Sequence, residues 1–112
     1  MINDKGMLKR DLTKKQVEIA RITKALSHPI RVAILEMLAS QECCFHGDMS
    51  EVLPVAKSTL SQHLKELREA GLIQGTINLP TVKYCINKEN WRIAKQLLNE
   101  FFEDIKKPSE CS

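Results

Sequence analysis

Residues Cys43 to Leu72, CCFHGDMSEVLPVAKSTLSQHLKELREAGL, decide how the chain folds. Between Ser58 and Ala70, Leu60, Leu64 and Leu67 recur at i, i+4 and i+7, the period at which an α-helix turns one apolar stripe toward a core. Thr59, Gln62, His63, Lys65 and Glu66 make up the other face. Its acids, Glu66 and Glu69, lie toward the C-terminal end. Lys57, Ser58, Thr59, Ser61 and Gln62 crowd the start with neutral or basic hydrogen-bonding groups. That distribution suits phosphates and base edges, so Lys57, Ser58, Thr59, Ser61, Gln62, His63 and Lys65 form the expected DNA-facing set. Gly71 stands where a helix C-terminus needs positive φ, and Leu72 is placed to pack back on the last turn.

Upstream, Met49, Val52 and Leu53 fall at helical spacing in Gly47 to Leu53. Pro54 stops that helix, because the residue before proline is pushed out of the α region. Pro54, Val55 and Ala56 then make a turn. Two helices joined by so short a turn, the second rich in Ser, Thr and Gln, have the sequence form of a helix-turn-helix, although an ordinary helical hairpin has the same outline. Downstream, Leu72 to Ile77 and Val82 to Ile86 are β-prone runs around the turn cluster Asn78, Leu79, Pro80 and Thr81. A hairpin with Leu79 and Pro80 at its tip, directly after a reader helix, is a wing, and Lys83 stands within reach of a phosphate. The expected fold is mainly α with a small β-hairpin, a winged helix-turn-helix.

The chain has 112 residues, 43% of them hydrophobic. One domain over residues 1–112 is expected, with an N-terminal arm over 1–12 and a tail over 107–112. No repeat, low-complexity tract, apolar run of membrane-spanning length or secretory h-region is visible, so a cytoplasmic protein with no membrane partner is expected. The net charge of +3 is unevenly spread: residues 1–30 hold seven Lys or Arg against three acids, residues 31–56 one against four, and residues 57–92 six against three. The arm, the reader helix and the wing are the basic parts. Lys9, Arg10, Lys14 and Lys15 fit a solvated face as well as an arm over DNA.

Thr13 with Gln16 forms a candidate capping box ahead of Val17, Ala20, Ile22, Ala25 and Leu26. Asn87 can cap a last helix carrying Ile93, Leu97, Leu98, Phe101, Phe102 and Ile105. Their apolar faces are broader than one small core requires, which points to a homodimer through the outer helices, the alternative being that they finish the monomer core. Ser27, His28 and Pro29 punctuate the first two helices, with Pro29 in the opening turn of the second, and His28 is read as structural.

Lys24-Ala-Leu-Ser-His-Pro-Ile-Arg31, then Ser58-Thr-Leu-Ser-Gln-His-Leu-Lys-Glu-Leu67 and Ala70-Gly-Leu-Ile73, resemble the ArsR/SmtB family, winged-helix bacterial repressors that respond to metals or metalloids. The resemblance runs from about Val17 to Phe102. It implies a repressor of a metal- or metalloid-resistance operon that binds double-stranded operator DNA as a homodimer, through a two-fold interface of first and last helices, and is no enzyme. No oxyanion-type loop, paired carboxylates or phosphate cradle accompanies the thiols.

The effector rests on Cys43, Cys44, Cys85 and Cys111. Without a secretory signal, free thiols open to metal or redox chemistry are expected rather than a disulfide framework. Cys43 and Cys44 precede Gly47 and Asp48, where a subset of the resembling family carries Cys-Val-Cys-Asp. Here the cysteines are adjacent and His46 departs from that pattern. Thiolates suit As(III), with Sb(III) chemically similar, and Cys43 and Cys44 supply two ligands; Cys85, Cys111 and His46 are further candidates. Zn(II) or Cd(II) would draw on His46 and Asp48, but the last helix lacks the histidines of the family's interface zinc site. The expectation is release from the operator when arsenite binds Cys43 and Cys44 and re-aims the Gly47 to Leu53 helix. The alternatives are a thiol redox sensor and a zinc or cadmium sensor.

Overall fold

The computed structural model describes residues 11–40, 44–78 and 81–104. The elements run α1 (Lys14–Ala25), α2 (Pro29–Ala39), β1 (Phe45–His46), a 3-10 turn (Met49–Glu51), α3 (Lys57–Glu69), β2 (Ile73–Asn78), β3 (Thr81–Ile86) and α4 (Lys88–Glu103). This is the expected winged helix-turn-helix, with one extra strand. Residues 1–10 of the expected arm, Cys43, Leu79 and Pro80 expected at the hairpin tip, Ile105 and the tail with Cys111 lie outside the described residues.

Local chemistry sets the helix boundaries. Thr13 caps α1 through the expected box: the Gln16 N–H donates to Thr13 Oγ1 at 3.0 Å, and the Thr13 N–H donates to Gln16 Oε1 at 2.9 Å. His28 caps α2, its Nδ1 accepting from the Ile30 N–H at 3.1 Å, with Pro29 in the first turn. Asn87 caps α4 by accepting from the Asn90 N–H at 3.0 Å. At the end of α3, the Leu72 N–H reaches Leu67 O at 3.1 Å and the Gly71 N–H reaches Arg68 O at 2.9 Å, the paired bonds of a Schellman stop with Gly71 at φ +81°.

The antiparallel sheet has the order β1-β3-β2. Ile73 faces Ile86 and Gly75 faces Tyr84 across β2 and β3, while Phe45 faces Tyr84 and His46 faces Lys83 across β1 and β3. Ile34 of α2, Leu67 of α3, and Leu72 and Ile73 at the entry to the sheet are the most deeply buried large side chains. The core thus sits behind α3 and fixes its apolar stripe, leaving its polar face outward. α4 packs across α1, but Ala94 is its one buried residue, and Ile93, Phe101 and Phe102 are 40%, 45% and 64% exposed. An open groove of about 350 Å³ between α1 and α4 is lined by Ile22, Leu26, Leu72, Trp91, Ala94 and Leu98. No helix among the described residues is long and apolar enough to cross a membrane.

One expectation is corrected. The helix expected over Gly47 to Leu53 is a single 3-10 turn, Met49–Glu51. Gly47 at φ +120° and extended Asp48 start it late, and its cap at Val52 comes just before Leu53 and Pro54. Met49 is buried, whereas Val52 is 63% exposed, so the apparent helical spacing does not mark a common face. The segment before Gly47 forms β1, too short to show as an alternating run.

Candidate nucleic-acid interface and thiol pair

Lys57, Ser58, Thr59, Ser61, Gln62 and Lys65 are all exposed on α3, and Lys83 is exposed on β3. Among the described helices and the 3-10 turn, only α3 begins without a side-chain cap: Ala56 occupies its N-cap, and its first turn carries no acid. Its leading N–H groups and the positive end of its dipole are therefore open to an anion, flanked by the cation of Lys57 and the hydroxyls of Ser58 and Thr59. The same arrangement suits a DNA phosphate and leaves Gln62 and Lys65, further along, for base edges or the next phosphate.

His63 departs from the expected set. It is 7% exposed and turned inward: its Nδ1 lies 3.4 Å from Arg31 Nη1, and its ring centroid lies 4.3 Å from that of His28. Burial, then the neighbouring His28 and Arg31, hold its pKa below the ordinary histidine value, against a smaller opposing effect of Glu66. Its polarity alone points to the outer face, but it sits beside the leucine stripe, where α2 and His28 supply polar partners. Arg31 likewise points into the fold, donating to Lys24 O at 3.3 Å and Ser27 Oγ at 3.4 Å. Arg21 of α1 donates to Ala70 O at 2.7 Å, so the C-terminal end of α3 is held by a cation while its start is left open.

The thiols meet in a way the sequence did not suggest. Cys44 and Cys85 form a disulfide, with their Cα atoms 4.4 Å apart. Continuing the β1–β3 register by one pair sets Cys44 opposite Cys85, and 4.4 Å is the spacing of a non-hydrogen-bonded antiparallel pair. Both residues are half-buried. The expectation of free thiols is therefore corrected for this pair, and the partner of Cys44 among the described residues is Cys85. His46 is exposed on β1 opposite Lys83. No group of three or more His, Cys, Asp or Glu able to hold a metal ion gathers among the described residues.

Asp48, a zinc or cadmium candidate in the sequence, joins the thiol strand to α3. Its Oδ1 accepts from Ser50 N at 2.9 Å and from Ser50 Oγ at 2.6 Å, and its Oδ2 lies 3.1 Å from Lys57 Nζ. The Ser50 bonds first, and then Lys57, hold its carboxyl below the ordinary aspartate pKa. Sequence signals for this were limited to the capping pattern Asp48-x-Ser50.

Comparison with known proteins agrees with this geometry. Residues 28–74 match the model for "Bacterial regulatory protein, arsR family". The chain is 30% identical over 96 residues to the biofilm growth-associated repressor of Xylella fastidiosa, covering 86% of this chain and 81% of that protein. Among solved structures, HlyU from Vibrio cholerae superposes with a TM-score of 0.61 at 30% identity, covering 81% of this chain and 98% of HlyU. The cadmium metal-sensor CMTR of Mycobacterium tuberculosis gives 0.50 at 31% identity, over 70% of this chain and 81% of that one.

Proposed function

The chain belongs to the arsR family of bacterial regulatory proteins, and on that premise we propose that it is a transcriptional repressor whose hold on operator DNA is set by the thiol pair Cys44 and Cys85. α3 is the reader: Lys57, Ser58 and Thr59 take phosphate at its uncapped start, Gln62 and Lys65 address the major groove, and Lys83 contacts the flanking backbone from the wing. A homodimer through α1 and α4 sets two readers about 34 Å apart, one turn of DNA. The exposed Ile93, Phe101 and Phe102 support that assembly.

The observation that carries the thiol reading is the cross-strand pairing of Cys44 with Cys85, which spans 41 residues of chain and ties β1 to the wing. In a reducing cytoplasm such a bond is transient and serves sensing rather than structure. Hydrogen peroxide is attacked by one thiolate, its O–O bond breaks, and the product is a sulfenic acid and a hydroxide that takes up a proton to leave as water. The second thiol then displaces a second water to close the disulfide, so two electrons pass from sulfur to peroxide. Oxidation then releases the operator. Arsenite is the second reading, favoured by the same proximity: the reduced pair offers As(III), or Sb(III), two thiolates on one sheet, with Cys43 beside them in sequence as a third donor. Zn(II) or Cd(II) would need further ligands from His46, Cys111 or Asp48.

Fluorescence anisotropy of the full chain on a duplex from upstream of its own gene tests both readings at fixed salt. Peroxide is expected to weaken binding about 5- to 150-fold, and dithiothreitol to restore it. Cys44→Ser and Cys85→Ser should keep DNA binding and lose that response. If both variants respond as the wild type does, the pair is not the sensor. Release by arsenite under reducing conditions, lost in Cys43→Ser and Cys44→Ser, would favour the metalloid reading.

A further inference from the structure

We infer that Asp48 is the positioning residue that passes the state of the Cys44–Cys85 pair to the reader helix, by holding Lys57 away from DNA while the disulfide is closed. The inference rests on the thiol-controlled repression proposed above.

Four features carry it. First, the Asp48 carboxylate is held on both oxygens, Oδ1 by Ser50 and Oδ2 by Lys57 at 3.1 Å, so where Asp48 goes the lysine is drawn. Second, Lys57 is the first residue of α3, at the one described helix start left without a side-chain cap, and its side chain is 79% exposed. Its ammonium is thus shared between Asp48 and any phosphate arriving there. Third, only Phe45, His46 and Gly47 separate Cys44 from Asp48. Fourth, β1 is two residues long, and its pairing with β3 consists of Phe45 with Tyr84 and His46 with Lys83; the disulfide adds a covalent rung at its leading end. A strand this short is marginal without that rung.

Reduction by dithiothreitol returns two electrons and two protons to the sulfurs and removes the covalent rung. β1 and the Asp48 that follows it then gain freedom, and Lys57 is released to phosphate. Oxidation by peroxide reverses this, and it also fixes the Asp48 anion beside the path of the DNA backbone, where it repels phosphate. A surface ion pair is weak, so the effect is several-fold rather than many orders of magnitude. Because Lys57 exchanges a protein carboxylate for a DNA phosphate, the salt dependence of binding should differ between the two states by about one counterion.

The test is anisotropy of the full chain, oxidised and reduced, over about 50 to 200 mM salt, where phosphate contacts are most visible. Mass spectrometry of the Cys44–Cys85 cross-linked peptide reports disulfide closure. Wild type is expected to bind about fivefold or more tightly when reduced, with a steeper salt slope by about one. Asp48→Asn should still close the disulfide, yet bind alike in both states within about twofold and with equal slopes. Asp48→Glu should restore the difference. Lys57→Gln gives an independent arm, since its reduced form should fall to the oxidised affinity. Persistence of the wild-type ratio in Asp48→Asn or Lys57→Gln, with the disulfide formed, overturns the relay alone. Equal binding by oxidised and reduced wild type overturns the thiol reading beneath it.

Discussion

His63 on α3 meets Arg31 on α2 inside the fold, Nδ1 to Nη1 at 3.4 Å, so α3 is anchored at mid-length to the corner formed by His28 and Pro29. The ring of His28 packs on that of His63 at 4.3 Å between centroids and helps to bury it, so that His63 is 7% exposed. His63 therefore serves the position of α3 rather than its outer chemistry.

The pH dependence of stability follows from this contact. Burial, His28 and Arg31 lower the His63 pKa in the folded state relative to the unfolded chain, so the unfolded chain binds the proton more readily. Folding is then unaffected by His63 at pH well above about 6.5, the unfolded value, and loses stability as pH falls through it until the depressed folded pKa is passed. Urea unfolding midpoints should drop between about pH 7.5 and pH 5.5, and His63→Gln should flatten that slope. A midpoint that rises on acidification contradicts the assignment.

Gln62 is exposed near the middle of the reader helix. Gln62→Ala should cost about 1 to 3 kcal/mol on the operator and little on random DNA if the amide reads a base. Equal losses on both duplexes would make it a backbone contact.

Phe101 and Phe102, packed edge to face at 5.4 Å, present an apolar end of α4 to solvent. Phe101→Glu with Phe102→Glu should convert a dimer to monomer in sedimentation equilibrium and weaken operator binding while far-ultraviolet circular dichroism stays unchanged. A wild-type chain that sediments as a monomer at micromolar concentration would remove the two-fold model.

Gly71 ends α3 at φ +81°, and a Cβ placed there would come within 2.9 Å of Asn90 Nδ2, which donates to Gly71 O. Gly71→Ala should destabilise the fold by about 1 to 2 kcal/mol from the left-handed backbone alone. Denaturant unfolding at pH 7 reads it directly, and a neutral result would mean that the Schellman stop has relaxed.

Most of the helical frame was legible because its signals are local. The Thr13–Gln16 box, the Asn87 cap, Pro29 at the start of α2 and Gly71 at the end of α3 each act within a few residues, and each appears where its chemistry requires. The leucine stripe of α3 and the two strands of the wing followed from periodicity alone. Met49, Val52 and Leu53 misled because three apolar residues at helical spacing do not outweigh a glycine at positive φ on one side and a proline on the other.

The candidate site divides along the same line. Sequence determined the polar outer face of α3, since Lys57, Ser58, Thr59, Ser61, Gln62 and Lys65 are what remain once the leucines face the core. It also singled out the cysteines by their chemistry. Only the tertiary structure decided that His63 turns inward, that Cys44 pairs with Cys85 across 41 residues, and that Asp48 reaches Lys57. The reason is physical: helix periodicity and caps are settled by neighbours along the chain, whereas a two-residue strand and a buried imidazole are stabilised by partners that only the folded core brings within bonding distance.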